Sequence, residues 1–523
     1  LSLDANLRLF NSPERLPQLR KIVRGIEKES LRVKPSGHLS EKPHPKALGS
    51  ALCHPHITTD FSEALLEFIT APSSSIHATM TELEDIHCIT YQHIHDELLW
   101  ANSMPCQLGT NESIPIGEYG NSNIGQMKTI YRRGLGHRYG RLMQTIAGIH
   151  YNFSVPDCLW RELQQKTPDN AQSLQDFKSA GYFGLIRNFR RYSWLLLYLL
   201  GAAPAVCRSF VKGRNHRLQP FGGDEHSLHT PYATSLRMGD LGYQSDAQSA
   251  LVVCYNNLEQ YTETLSEALE QDYRPYKIIG VKDSEDQYKQ LNTSILQIEN
   301  EFYSSIRPKR TTHQGETPVH ALRERGVEYI EVRCVDLNPL LPCGIDEETI
   351  CFLDTFLLYC LFKDSPPTDN IEYKKIPENL SRTVYAGRDP SLMLLNQEGE
   401  IPLVEWGKTL MADIFDVAEL LDSANQTTAY SEAFNTMQHR LADHCLTPAA
   451  TLLEEMRVNN ETFYAMSMRK ALEHKRFFDR KEPSEETIAK YTALAKKSFA
   501  DQADIENSDE LSFDDFLTHY YNQ

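Results

Sequence analysis

Several familiar signatures are missing from this sequence, and each absence narrows the reading. No GxxxxGK[ST] run occurs, and Gly134-Leu135-Gly136 followed by Gly140 misses the spacing of a dinucleotide fingerprint, so neither a P-loop nor a Rossmann site is expected. Positive charge is in deficit: 53 Lys and Arg against 71 Asp and Glu leave a net charge of -18, which weighs against nucleic acid or an anionic membrane as partner. Long apolar runs are scarce. The longest, Trp194 to Val206, is broken by Gly201 and Pro204 and falls short of the ~20 residues a spanning helix needs. It reads as a core helix ending at Gly-Ala-Ala-Pro. The N-terminal stretch LSLDANLRLFNSPERL has no basic segment leading into an apolar one, so no signal peptide is expected. The eleven cysteines form no CxxC pair and no dense framework, which implies reduced thiols and a cytoplasmic location.

What is present is unusual in one respect: glutamates stand inside segments that otherwise read as buried strands. Glu27 and Glu29 lie in GIEKESLRV, Glu67 in ALLEFIT and Glu331 in EYIEVRCVDLNPL. Strand side chains alternate, so Glu27 and Glu29 share a face, as do Glu331 and Arg333, while Ile330, Val332 and Cys334 take the other. The segment Gln144 to Val155 repeats the pattern, with Ile149, Tyr151 and Phe153 on one side and His150 and Asn152 on the other. A sheet with an apolar back and an acidic front follows. Each glutamate alone could pair with an arginine such as Arg24, Arg32 or Arg333. Together with His150 they read as a shared cup for hard divalent ions, Mg2+ or Mn2+, and for the phosphates such ions carry. Asp60 is a weaker member, because Asp60 to Glu63 also fits a helix-capping arrangement.

Along the chain, residues 1 to about 24 read as a short helix leading into the first strand, and Met80 to Trp100 as an amphipathic helix with His87, His93 and His95 on a solvated surface. Residues 104 to 127 and 212 to 245 read as long loops, and 180 to 200 as a buried helix. Beyond about Pro366 the acidic strand pattern gives way to helices, with a helix start at Ser484 and an acidic surface tail, IENSDELSFDDF. This divides the chain into a catalytic body, 1–365, and a mainly helical region, 366–523, packed on it. Lys309 and Arg310, in the basic run Arg307-Pro308-Lys309-Arg310, are candidates for nucleotide phosphates. Glu225-His226-Ser227-Leu228-His229 lacks the spacing of a zinc helix.

The runs TTDFSEALLEFIT, SMPC, YGNSNIGQMKTIYRRGLGHRYGRLMQTIAGIHYNFS, PYATSLR with DLGY, LQIENEFYSSIRPKR and GVEYIEVRCVDLNP occur in one order over residues 24 to about 345. Together they resemble the glutamate–cysteine ligases (γ-glutamylcysteine synthetases) of the proteobacterial type. The resemblance implies an α+β fold, a curved antiparallel sheet forming a funnel with surrounding helices, similar to the glutamine synthetase catalytic domain. It implies ATP-dependent ligation of the glutamate γ-carboxylate to the cysteine amine through γ-glutamyl phosphate, with ATP, glutamate and cysteine as substrates. Glutathione would be a feedback inhibitor and the protein a monomer. By matching motif, Glu27, Glu29, Asp60, Glu67, His150 and Glu331 would be metal ligands, and Arg237 and Arg333 the glutamyl and phosphoryl anchors. Tyr131 and Tyr243 would wall the cysteine pocket, with Arg132, Gln144 and Ile146 from the same run beside the substrate. The resemblance is to enzymes without a second ligase module that adds glycine. Two alternatives remain at this stage: a related carboxylate–amine ligase with another amine acceptor, and a zinc hydrolase or non-catalytic protein with no ATP turnover.

Overall fold

The acidic strands do assemble into one sheet. In the computed structural model, which describes residues 2–167, 171–241, 246–249 and 251–523, seven strands pair throughout in antiparallel fashion: β1 (Val23–Val33), β2 (Ile57–Thr59), β3 (Leu65–Ile69), β4 (Leu98–Leu99), β5 (Ile149–Ser154), and the later β9 (Ile306–Lys309) and β10 (Tyr329–Val335). The order is β2-β3-β1-β5-β10-β9, with β4 also on β1, so the sheet is open, with β2 and β9 at its edges. A smaller sheet, in the order β6-β8-β7, joins β6 (Ala205–Cys207), β7 (Gln219–Phe221) and β8 (Asp224–His229), and a hairpin joins β11 (Met393–Leu395) to β12 (Glu400–Pro402).

The period-2 pattern sets which face is dry. Ile26, Phe68, Ile149, Tyr151, Phe153, Ile330 and Val332 are fully buried on the back of the sheet, against the helices Ile76–His93 and Leu174–Leu200. The second of these starts where Ser173 accepts a hydrogen bond from the Asp176 amide and ends at Gly201, as expected for the apolar run. Helix Glu347–Phe362 packs on it and sends Asp354 back to the sheet, where it meets Arg24 at 2.9 Å and accepts a hydrogen bond from the Tyr151 hydroxyl at 2.7 Å. The helices beyond Pro366, among them Leu403–Asn425 and Phe463–Asp479, add Met411, Ile414, Phe463 and Phe478 to the same continuous core.

Several expectations change. Helix Ile76–His93 stops earlier than Trp100, and His87 is buried, not solvated: Lys28, on the back of β1, reaches its Nε2 at 2.7 Å. The loop after residue 104 ends at Ser122, whose side chain caps a helix, Asn123–Tyr139. The strand expected from Gln144 begins only at Ile149, because Met143–Thr145 forms a 3-10 turn. Part of 212–245 is the β7–β8 hairpin, and Tyr243 lies outside the described residues. Cys106 and Cys207 form a disulfide across 101 residues, correcting the all-reduced reading, while the other nine cysteines are free. Among the described residues no helix is long and apolar enough to cross a membrane.

The Arg24–Asp354 pair yields a stability test. Asp354→Ala leaves a buried guanidinium without its carboxylate and should cost about 3–5 kcal/mol in denaturant unfolding. The double variant Arg24→Met/Asp354→Leu should recover most of that loss. A double variant as unstable as the single one would show that the pair itself, not the orphaned charge, holds helix Glu347–Phe362 to the sheet.

Candidate functional site

Register, more than composition, builds the site. Glu29 stands directly opposite Glu67 across β1 and β3, Glu27 opposite His150 across β1 and β5, and Glu331 opposite Asn152 across β5 and β10. On β9, Arg307 pairs with Glu331 and Lys309 with Tyr329. Directly opposed residues share a face, so these side chains form a stripe across the front of five strands. Between Val332 and Val335 β10 slips register against β5, and this irregularity follows directly on Glu331 and spans Arg333.

His150 sits at the centre of the stripe. Its Nδ1 lies 3.4 Å from Glu27 and 3.8 Å from Glu331, and its Nε2 lies 3.6 Å from Glu29. Asn152 donates to Glu27 at 2.8 Å and the Gly148 amide donates to Glu29 at 2.6 Å. Lys309 and Arg333 approach Glu331 at 3.5 and 3.2 Å. Burial raises every carboxyl here, and the outcome depends on who stands nearby. Lys309 and Arg333 overcome burial at Glu331 and hold it well below the usual range, and at Glu27 the His150 hydrogen bond lowers the carboxyl despite burial and the nearby Glu331. At Glu29 the balance falls the other way: burial, then repulsion from Asp60, outweigh Arg237, Arg333 and the Gly148 amide and push it up to about 8. Burial, then Glu27, Asp60 and Glu29, raises Glu67 well above its ordinary value. The acidic side of the cup is short of positive charge.

That donor set fits hard divalent ions. Glu27, His150 and Glu331 each offer a ligand atom within 4.8 Å of one another, and Glu29, Glu67 and Asp60 extend the oxygen supply. Asp60 lies in the β2–β3 turn and caps no helix; Glu63 turns away and accepts from the backbone amides of His44 and Glu118.

Two cavities meet at the cup. The smaller is lined by Glu29, Tyr131, Tyr139, Gln144, Glu301, Tyr303 and Arg333 among others. The larger is a cleft lined by Glu27, Glu67, His150, Lys309 and Glu331 and also by Ile124, Met127, Ile298 and Tyr520. Asp60, Tyr131, Arg132, Asn300, Arg307 and Arg333 face both. Helix Asn123–Tyr139 presents Tyr131 and Arg132 to them; Arg132 lies over the Tyr119 ring at 4.3 Å and donates to the Asp60 carbonyl.

Other expected residues are placed differently. Arg237 is buried behind the cup, donating to the Arg333 carbonyl at 2.9 Å with Asp336 at 3.7 Å. A Cβ on Gly148 would fall 1.9 Å from its guanidinium, so glycine is required for this approach. Arg310 turns towards Glu328 at 3.9 Å and is not among the residues lining either cavity. Ile146 is fully buried and lines neither. Sequence reasoning gave no role to Glu301, which accepts from Arg138 at 2.9 Å and Tyr139 at 2.5 Å, nor to Lys128, Ile505 and Tyr520.

The family model for glutamate-cysteine ligase matches residues 7–383. The chain belongs to the glutamate–cysteine ligase family. It is 49% identical to the glutamate–cysteine ligase of Alcanivorax borkumensis over 524 residues, covering 99% of both chains, and 48% identical to that of Pseudomonas aeruginosa PAO1, covering 99% of this chain and 97% of the other. The crystal structure of the Francisella tularensis glutamate–cysteine ligase in complex with AMP matches with a TM-score of 0.90 at 36% identity, covering 96% of this chain and 98% of that one. A bifunctional glutathione synthetase from Pasteurella multocida shares the fold, with a TM-score of 0.73 at 23% identity over 57% of its length.

For this family member the electrostatics make a two-sided prediction. Glu67→Gln removes one of two opposed buried carboxylates, so the metal-free protein should gain on the order of 1 kcal/mol in stability. The same change should shrink the rise in melting temperature that millimolar Mg2+ gives over EDTA. A variant that is no more stable without metal, or that keeps the full Mg2+ response, would remove Glu67 from the cup.

Proposed function

We infer that the protein catalyses the ATP-dependent joining of the L-glutamate γ-carboxylate to the L-cysteine amine, giving γ-glutamylcysteine, the first step of glutathione synthesis. Family membership over nearly the whole chain establishes this reaction class. The observation that carries the chemistry is the acidic cup shared by two cavities. A carboxylate is a poor acyl donor and must be activated by phosphorylation. Glutamate in the smaller cavity would offer its γ-carboxylate to the terminal phosphate of ATP in the cleft, with the reacting atoms meeting beside His150 and Arg333. The open antiparallel sheet would serve as the nucleotide-holding surface, in the manner expected from glutamine synthetase.

Glu27, Glu29, Asp60, Glu67, His150 and Glu331 would hold divalent ions, Mg2+ or Mn2+, whose charge, when bound, screens the phosphates from the carboxylates. Arg333, pinned to Glu331, would aim its guanidinium at the transferred phosphoryl group, and Lys309 would hold phosphate oxygens from the β9 edge. Arg237 would act from behind, fixing the β10 backbone that carries Arg333. Attack of the cysteine amine on the acyl phosphate then forms the amide and expels phosphate, with Arg333 close enough to stabilise the tetrahedral oxyanion. Tyr131, Arg132 and Gln144 line the smaller cavity, where cysteine would enter; Tyr243, outside the described residues, is the second tyrosine that the resemblance assigns to cysteine binding. Glutathione, which contains the product, would compete there. We read the protein as a cytoplasmic monomer.

Hydroxylamine tests the intermediate. It should replace cysteine and yield the γ-hydroxamate with stoichiometric ADP; release of AMP and pyrophosphate would mean that the carboxylate is adenylated instead. Tyr131→Phe should raise the KM for cysteine roughly ten- to a hundredfold, the worth of one hydrogen bond to a charged group, and leave those for glutamate and ATP within about twofold. An equal effect on glutamate would move Tyr131 out of the cysteine pocket.

A further inference from the structure

Five basic side chains line the larger cleft: Lys128, Arg132, Arg307, Lys309 and Arg333. Four are engaged by the protein itself. Arg132 donates to the carbonyls of Asp60 and Lys128, Arg307 to those of Asn300 and Phe302, and Lys309 and Arg333 pair with Glu331. Lys128 is the exception. Its ammonium lies 5.4 Å from the centre of the Tyr119 ring and makes no hydrogen bond or ion pair with a described residue. Three strong donors therefore stand in a half-buried position with no acceptor among the described residues.

Its place along the cleft suggests what supplies one. On helix Asn123–Tyr139, Lys128 lies one turn before Arg132, at the acidic cup, and one turn after Ile124, beside Met127. Ile124 and Met127 belong to the apolar end of the cleft, opposite Tyr520 of the last helix, Phe513–Tyr521, which packs on this helix. Lys128 thus stands where an apolar lining changes to a charged one. A ligand spanning that boundary needs a flat, apolar group at one end and negative charge at the middle and far end, which describes a nucleoside triphosphate. Free amino acids are too short to reach from the apolar end to the cup.

We propose that Lys128 is a phosphate-binding residue of the nucleotide site, holding the phosphates nearer the base while the terminal phosphate reaches the cup. This rests on the functional reading above. It adds to it an orientation for the nucleotide, with the base against Met127 and Tyr520.

The test compares wild type with Lys128→Met, Lys128→Gln and Lys128→Arg. The dissociation constant for ATP and the KM for ATP should rise roughly ten- to a hundredfold in the Met and Gln variants, with the KM for glutamate and cysteine within about twofold of wild type. Lys128→Arg should restore most of the ATP affinity, which a purely structural role would not require. Unchanged ATP affinity in either neutral variant, or a shift in the amino-acid constants in place of that for ATP, overturns the proposal. If Lys128→Met fails to fold, Lys128→Gln alone decides it. Wild-type ADP formation that did not depend on both amino acids would count against the functional reading and is scored separately from these ratios.

Discussion

Two carboxylates set opposite each other across an antiparallel pair repel, and burial removes the water that would screen them. Glu29 and Glu67 occupy such a position, with Glu27 and Asp60 close by. The protein's own cations answer only part of this charge: Lys309 and Arg333 are committed to Glu331, and His150, shared among Glu27, Glu29 and Glu331, is itself pushed towards its neutral form by burial and by Arg333. The front of the sheet is thus held in an arrangement that is costly without added positive charge, a cost that bound divalent ions would relieve.

Keeping those carboxylates close requires a backbone that does not yield to their repulsion. The back of the sheet supplies it: fully buried Phe68, Tyr151, Phe153 and Val332 fix the strand faces, and a one-residue slip would turn the glutamates into the core. Arg24–Asp354 and Arg32–Glu97, both 2.9 Å ion pairs, anchor the two ends of β1. Arg32 also donates to the carbonyls of Lys42, Pro43 and Glu63, so the strand carrying two acidic residues is tied to the loops around it.

Much of this was legible in sequence because it is written in a period of two. Alternation alone puts Glu27 with Glu29, His150 with Asn152 and Glu331 with Arg333 on the polar face of each strand, and the cup follows once the strands are paired. Lys28 was harder to read: alternation assigns it to the dry face, where a lysine is unexpected, and its partner His87 lies on a helix 59 residues away. Cys106 and Cys207 are likewise joined only by the path of the chain, which local spacing does not record. Helix Asn123–Tyr139 was hidden by Gly, Asn and Ser before it, although Ser122 with Gly125 is a capping signal that marks its start. Tyr520 had no local signal, since an aromatic near the end of an acidic segment gives no hint that it will face the cleft.

The cup's position between two cavities also bears on how the reaction can be ordered in space. Arg132, Arg307 and Arg333 face both cavities, and each is fixed by the fold through a carbonyl or a carboxylate. Fixed dipoles and charges at a boundary need no rearrangement as charge moves across it, which is the condition under which they lower a barrier most. In the proposed reaction the glutamyl and phosphoryl groups would meet at this boundary, so the guanidiniums that separate the two cavities would be the ones that neutralise charge as they react. The C-terminal helix contributes indirectly: with Leu517 and Tyr520 packed against Met127 and Ile130, it steadies the helix whose next turn carries Tyr131 and Arg132 into both cavities.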